Sequence, residues 1–489
     1  MSNAPSWGRL DKKHRAIASF NPSNAVADKQ FYLAYGNGRS YGDTCHNDQG
    51  TLLSTRHNSA IISFDRESGL LTAESGILLG DILQYLQGSG WFLPVVPGTK
   101  FVTLGGAIAN DIHGKNHEKR GTFGCHVTSF NLWRSNGSHV QCSRQEEAKL
   151  FAATIGGMGL TGIVTQAQIQ LMKVASHFVE EVKKPFASLS GYFDMEMEFS
   201  SASEYSVAWV DSLARGKSLG RGILMRGDHT AHEVQPDYGK PRLKVPLTPP
   251  ISLVSGLPLR LFNTAYFHHN KRQNTNHPTH PDSFFFPLDA IAGWNRLYGP
   301  KGLFQHQCVV PLEAAKEVIP QLLAATHHAG QGSFLTVLKR FGSIASPGFM
   351  SFPRPGYTLT LDFANQGRTT RQLLHRLDAI TLDAGGRTNP YKDARMSTDT
   401  FQSGFDQWRK LEGFRDPAIQ SDFWRRASAP TETDAAAIAA ATIAAVRSRI
   451  APPPLATPVN QAAKGEVHTP HLQPKQDNGA AHPAAMGPK

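Results

Sequence analysis

The chain has 489 residues, 40% of them hydrophobic and 18% charged, with 50 Lys and Arg against 39 Asp and Glu for a net charge of +11. That length supports two packed domains with ample core, and the basic excess favours phosphate-bearing ligands or an anionic membrane surface. Nucleic acid is not expected as a partner, because no basic helix or aromatic-interleaved Arg/Lys motif is present.

The four cysteines, Cys45, Cys125, Cys142 and Cys308, form no CxxC pair, which argues against a disulfide scaffold or a zinc ribbon. The N-terminal residues hold no apolar h-region, and no apolar run approaches a membrane span. The expectation is therefore a cytoplasmic protein without a signal peptide, with peripheral contact at the inner membrane face.

In chain order, FYLAYGNGRSYGD (31–43) reads as an apolar strand running into a glycine-rich loop. Its spacing, GxGxxxG with no helical pattern behind it, departs from the GxGxxG dinucleotide fingerprint. Short strands and a helix near 79–90 follow, an α+β unit rather than repeating βαβ. Then comes TLGGAIANDIHGKNH (103–117), where Gly105-Gly106 lets the backbone approach a bulky ligand and offer N–H groups to a phosphate. Behind it, Asp111, His113, Lys115 and Asn116 read as a polar cluster aimed at a reaction. His113 and His117 have the spacing of a metal pair but lack a third ligand, so no metal is expected. Asn136-Gly137 signals a hairpin, QEEAKLFAATIG a helix, and GGMGLTGIVTQAQIQL a third glycine-rich turn entering a strand. Three such turns beside strands suggest one ligand gripped from several sides.

After about Lys173 strands alternate with helices such as 312–330, as in a second α+β domain. Within it, 225–283 reads as a long surface insertion whose 240–263 portion, KPRLKVPLTPPISLVSGLPLRLFN, mixes apolar and cationic residues and so suits an anionic lipid surface. Lys339 sits in an alternating apolar stretch, where a snorkelling surface lysine competes with a functional one. GGRTNPYKDARMS (385–397) is a strand and turn carrying Lys392. Residues 429–489, rich in Ala and Pro, read as a disordered tail.

Taken together, YGNGRSYGD, PGTKFVTLGGAIANDIHGKNH, GTFGCHVTSF, GGMGLTGIV, GWNRLYGPKGLFQHQCVVP, SFLTVLKRFG and GGRTNPYKDAR resemble the decaprenylphosphoryl-β-D-ribose 2-oxidase family, in the vanillyl-alcohol-oxidase class of FAD enzymes. The resemblance spans about Trp7 to Ala427. It implies an α+β, two-domain fold: a PCMH-type FAD-binding domain (1–174), a substrate domain (175–385), and a C-terminal return to the FAD-binding domain (386–428). FAD would be held by the loop Gly36, Asn37, Gly38, Arg39, Ser40, Tyr41 and Gly42, and by Gly98, Thr103, Leu104, Gly105, Gly106, Asn110, His113 and Ile163. Its diphosphate would lie on backbone N–H groups of 36–42 and 103–106. Arg39 stands where many relatives of the class tether flavin to a histidine, so the FAD is expected to be noncovalent.

The reaction the resemblance implies oxidises the 2-hydroxyl of a polyprenyl-phosphate-linked ribose to a ketone, as the first step of epimerisation to arabinose for cell wall arabinan. An NAD(P)H-dependent short-chain reductase would be the pathway partner. Lys392, with Tyr41 and His113, would be catalytic; Lys115, Gln305, Gln307, Lys339 and Thr360 would contact substrate. Gln305 and Gln307 alternate along a strand and therefore face the same side. Two positions depart from the family: Thr360 replaces its cysteine and Phe285 its tyrosine, so the sugar or lipid is left open. The alternatives are an aldonolactone or alditol oxidase acting on a free sugar, and a non-catalytic flavoprotein.

Overall fold

The computed structural model describes residues 4–23, 30–231, 238, 241, 243–272 and 277–430, and its chain builds three principal sheets. Expectations for the Ala- and Pro-rich segment from 431 onward lie outside these residues. The first sheet is parallel, with Gly50–Ser54 between Ala16–Ser19 and Phe31–Tyr35. The second is antiparallel and five-stranded, in the order Ile61–Asp65, Leu70–Glu74, Ile163–Gln170, Val127–Trp133, His139–Ser143. Asn136-Gly137 closes the hairpin between its last two strands; Gly137 adopts φ 83, where a Cβ would be strained. The inner face of this sheet (Leu71, Ala73, Phe130, Ala167, Ile169) buries against Ile82 and Leu83 of Leu79–Tyr85 and Leu104 and Ile108 of Leu104–Ala109. Thr103 caps the latter helix by accepting from the Gly106 N–H.

The third sheet has eight strands, all antiparallel, in the order His277–Thr279, Val179–Phe186, Gly222–His229, Tyr205–Val210, Val337–Phe341, Gly356–Ala364, Leu303–Val310, Arg387–Thr388. The two-residue period of a strand segregates its faces. Phe304, Cys308, Val310, Leu338, Tyr357, Leu359, Leu361 and Phe363 pack on helices Ala315–His328 and Arg368–Asp383 through Leu322, Leu323, Leu373, Leu374 and Leu377. The alternate residues, Gln305, Gln307, Lys339, Thr358, Thr360 and Asp362, fall on the opposite, polar face. The glutamine alternation legible in the sequence is thus one row of a larger polar surface.

Beyond Arg387–Thr388 the chain makes a single turn at Pro390–Lys392. It then runs through Thr398–Gly404, Trp408–Phe414 and Asp422–Ala427, which pack on the parallel sheet through Phe401, Leu411, Phe423 and Trp424 against Phe20, Leu33 and Leu52.

The segment 225–283 is not a plain insertion. Its start belongs to the eight-stranded sheet, and Gly256–Lys271 is a 16-residue helix. The helix buries Leu259, Asn263, Phe267 and Asn270, a stripe at helical spacing in which two positions are polar. Asn263 donates to Asp211 Oδ1 at 3.1 Å, so a buried asparagine occupies a place where hydropathy alone sees no core. The opposite face leaves Leu257 (67%), Leu261 (62%) and Phe262 (45%) exposed. Among the described residues no helix is long and apolar enough to cross a membrane.

Candidate active site

A cavity of about 820 Å³ runs between the glycine-rich loops and the polar face of the eight-stranded sheet. Of the residues singled out in the sequence, Gly36 to Tyr41, Gly98, Thr103, Gly105, Gly106, Asn110, His113, Lys115, Ile163, Gln305, Gln307, Lys339, Thr360 and Lys392 line it; Gly42 and Leu104 do not. A Cβ on Gly42 would strike the Asp393 carbonyl, and Leu104 is core.

One end of the cavity is built for a large anionic ligand. The backbone N–H groups of Asn37, Gly38, Arg39 and Ser40 bond to nothing among the described residues, although this loop lines the cavity. Four consecutive free donors form the type of concavity that holds a diphosphate. The pair Gly105-Gly106 plays a different part from the one its sequence suggests. Leu104 N–H donates to Ile77 O, Gly105 N–H to Ser75 O and Gly106 N–H to Thr103 Oγ1, so these donors are used within the fold. What the glycines provide is proximity: a Cβ on Gly105 would lie 3.0 Å from Ser75 Cβ, and one on Gly36 2.5 Å from Thr103 Oγ1. Gly98 has nothing within 4 Å of its Cβ position, which is open cavity. Arg39 stacks over Trp7 at 4.4 Å and Phe101 at 5.1 Å, and its buried Nε has no hydrogen-bond partner among the described residues. These free donors and open glycine faces fit FAD.

At the centre, Lys392 sits on the Pro390–Lys392 turn, which Asn389 caps by accepting the Tyr391 N–H. Its amine makes no hydrogen bond among the described residues and lies 6.0 Å from the Tyr41 ring centroid. Burial lowers its pKa to about 8, with Asp362 pulling the other way. Asp362 accepts from Gln305 Nε2 at 2.5 Å, and burial raises its carboxyl to about 7. Its Oδ2, Gln305 Oε1 and Tyr298 Oη are buried without hydrogen-bond partners among the described residues, and of these three residues Gln305 lines the cavity. The Tyr41 phenol is pushed well above its ordinary value, by burial first and then by Asp362.

Beside this centre, His113 has both ring nitrogens engaged: Gln307 Nε2 lies 3.1 Å from Nε2, and Lys339 Nζ 2.9 Å from Nδ1. Burial, then Lys339, holds its pKa well below 6.5. Lys339 is buried rather than snorkelling, and its pKa falls well below 10.5 through burial, Lys392 and Lys115. Lys115 donates to Phe284 O and lies 4.3 Å from the Phe284 ring centroid; burial brings it to about 8. Thr360 stands opposite Gln307 in register, and Phe285 is buried against Phe92 and Tyr205.

The cluster Asp111, His113, Lys115 and Asn116 does not act as one group. The Asp111 carboxylate accepts from Gly124 N–H, Ser346 and Ser351, and Asn116 donates to Pro94 O and Glu204. Both hold loops in place, which leaves His113 and Lys115 to face the site. Sequence reading missed Asp362, Asn389 and Tyr298. The signal for Asp362 was in YTLTLDF, where Thr358, Thr360 and Asp362 repeat the alternation of the two glutamines.

The FAD binding domain family matches residues 24–143. With the loop donors and the glycine faces, that match and the relative described next define the chain as an FAD-dependent oxidoreductase acting on CH–OH donors, of the PCMH-type α+β fold. The chain is 33% identical over 424 residues to a decaprenylphosphoryl-β-D-ribose oxidase of Mycolicibacterium smegmatis, covering 81% of this chain and 88% of that protein. It belongs to that family. An uncharacterized protein in the mprA 5′ region of Streptomyces coelicolor is 31% identical, covering 69% of this chain and 96% of its own length. An L-gulonolactone oxidase of Scyliorhinus torazame is 27% identical, covering 30% of this chain and 32% of its own length.

Arg39 cannot form the bond a tethering histidine makes to flavin. Acid precipitation of the purified yellow protein is expected to release its FAD into the supernatant; flavin retained on the pellet would show a covalent link elsewhere.

Proposed function

We propose that this protein oxidises the 2-hydroxyl of a polyprenyl-phosphate-linked ribose to a ketone, with Lys392 as the base. The observation that carries this reading is the Lys392 amine, partly buried, without a hydrogen-bond partner among the described residues, and poised near pKa 8 in the cavity that Gln305 and Gln307 share. FAD, when bound, would supply the redox chemistry as the hydride acceptor. The protein's own task is to hold the sugar and take one proton.

Lys392 in its neutral form accepts the hydroxyl proton. Asp362, attracting the resulting ammonium, stabilises the product of that transfer. Gln305 and Gln307 offer amide groups to sugar hydroxyls from the same strand face. The Tyr41 phenol stays protonated and serves as a hydrogen-bond donor. His113, with both nitrogens occupied, positions its neighbours and has no lone pair left for the substrate proton. In domain terms, residues 1–174 and 386–428 would carry the FAD and 175–385 the substrate.

The lipid portion of this reading is supported at the far end of the cavity, lined by Val207, Trp209, Met225, Tyr266 and Leu335. Tyr266 stacks on Phe262, with centroids 6.0 Å apart, and so joins the cavity wall to the exposed apolar face of Gly256–Lys271. Leu243, Leu247, Ile251 and Leu253, also exposed, precede that helix, and Lys244 and Arg260 supply cationic charge. Such a surface suits peripheral contact with an anionic bilayer. A separate NAD(P)H-dependent reductase would return the ketone to the epimeric alcohol.

The test is anaerobic flavin reduction with farnesylphosphoryl-β-D-ribose, ribose, L-gulono-1,4-lactone and xylitol. Rapid bleaching by the prenylated ribose alone is expected. Faster reduction by a free sugar, lactone or alditol would move the protein to the aldonolactone or alditol oxidases, and no reduction by any would favour a non-catalytic flavoprotein. The same assay with anionic vesicles carrying the lipid should lose rate as salt rises; equal rates on zwitterionic vesicles would remove the membrane contact.

A further inference from the structure

The polar side chains around His113 admit one self-consistent set of protons. The chain of assignments starts at the backbone. Asn389 Oδ1 accepts the Tyr391 N–H at 3.0 Å, a donor that cannot be inverted, so Asn389 presents its Nδ2 to Gln307. That amide donates to Gln307 Oε1 at 2.9 Å, which fixes the Gln307 carbonyl toward Asn389 and turns its Nε2 toward Thr358 and His113. Gln307 Nε2 can only donate, so His113 Nε2 must be the acceptor, and the single proton of a neutral imidazole resides on Nδ1. His113 Nδ1 then has no lone pair to offer Lys339 Nζ, 2.9 Å away. A charged ammonium there would set donor against donor. A neutral amine resolves the conflict: its lone pair accepts from Nδ1–H, one N–H donates to Gly114 O at 2.5 Å, and the other remains for the cavity.

The surroundings agree. Lys339 is 8% exposed and has no carboxylate against it. The groups facing it are Lys115, Lys392, His113 and His117, all cationic or neutral; Asp362 faces Lys392 instead, and Glu118 pairs with Arg340 at 3.6 Å. The Phe341 ring, 5.3 Å from Nζ, and the Gly114 carbonyl, 2.5 Å away, favour charge. Burial without a counter-ion outweighs contacts of this type.

We infer that Lys339 rests as a neutral amine, held so by the relay from Asn389 through Gln307 and His113, and takes a proton from water when an anionic ligand enters the cavity. Asn389 is thereby a positioning residue that acts two side chains away. The site avoids storing a third buried cation beside Lys115 and Lys392 while empty, yet can supply one to an anion. The uptake half rests on the phosphate-bearing substrate proposed above; the resting charge does not.

The resting charge is read on holoprotein labelled with ¹³Cε-lysine, the Lys339 signal being the one missing from Lys339→Met. At about pH 7.5, where a free lysine is almost wholly protonated, this signal should have the neutral-amine shift. In Asn389→Asp, a carboxylate accepts both the Tyr391 N–H and Gln307 Nε2. Gln307 Oε1 then faces His113, the imidazole proton moves to Nε2, and Lys339 should become protonated. Gln307→Glu should have the same result through a different residue, should the first variant fold poorly. A protonated Lys339 in the wild type, or a neutral one in both variants, overturns the relay.

Proton uptake is measured by calorimetry in buffers of different ionisation enthalpy. The probes are farnesylphosphoryl-2-deoxyribose, a diester without the reacting hydroxyl, and sodium sulfate. Binding should bring close to one proton per site in the wild type and none in Lys339→Met. Binding of either anion without uptake, or binding of neither, overturns the uptake. Failure of the diester alone, with sulfate still taking up its proton, would refute the prenyl-phosphate substrate and leave the inference standing.

Discussion

Replacing Lys392 with Met is expected to slow flavin reduction at saturating substrate by about 10²–10⁴-fold, the usual contribution of a general base, while FAD remains bound. Wild-type reduction should rise with pH through about 8, because the base must lose its proton before it can accept one and burial holds the amine near that value. The variant should lose this rise. Asp362→Asn should keep it but move its midpoint to lower pH, since the carboxylate attracts the lysine's proton and its removal leaves burial unopposed. Stopped-flow traces across the pH range decide these points. A near-normal saturated rate in Lys392→Met, with only substrate affinity lost, would make the lysine a binding group present equally in ground and transition states. The proton would then have to go elsewhere. Tyr41→Phe tests one destination, a poor one because burial keeps the phenol protonated; His113 is another poor one, with both nitrogens committed.

The second large effect is expected at Gly98. Its Cβ position meets nothing within 4 Å, so Gly98→Val should fold, yet the added methyls would occupy cavity that the cofactor needs. Overpacking of this kind costs about 1–3 kcal/mol, which corresponds to about a 5- to 150-fold loss of FAD affinity. The measurement is the flavin-to-protein ratio after gel filtration, paired with thermal denaturation of the flavin-free protein. Full FAD retention would place the cofactor away from this face. The same substitution at Gly36 would be less informative, because its Cβ would collide with Thr103 Oγ1 and disturb the cap of Leu104–Ala109 as well.

Much of the glycine-rich end of the cavity was legible along the chain. Glycine spacing, the Asn136-Gly137 hairpin and the HGKNH context are local signals, because turn geometry and close approach depend on residues that neighbour one another along the chain. The same holds for Gln305 and Gln307, whose common face follows from strand periodicity alone.

Tertiary structure decided everything that depends on which groups meet across long separations. Lys339, expected at the substrate with a surface lysine as the competing reading, is decided by burial that comes from neighbouring strands, not from its own stretch. Gly256–Lys271 hid as a loop because two asparagines fill its buried stripe, satisfied by partners far along the chain. Asp111 and Asn116 seemed catalytic by proximity to His113, but their hydrogen bonds go to distant loops. Gly105-Gly106 line the cavity while their N–H groups are claimed by Ser75 and Thr103. Asp362 and Asn389 joined the site through pairing with Gln305 and Gln307, contacts that no spacing encodes. A side chain's type is written in the chain, but its charge state and role depend on desolvation and on partners, and both are properties of the folded neighbourhood.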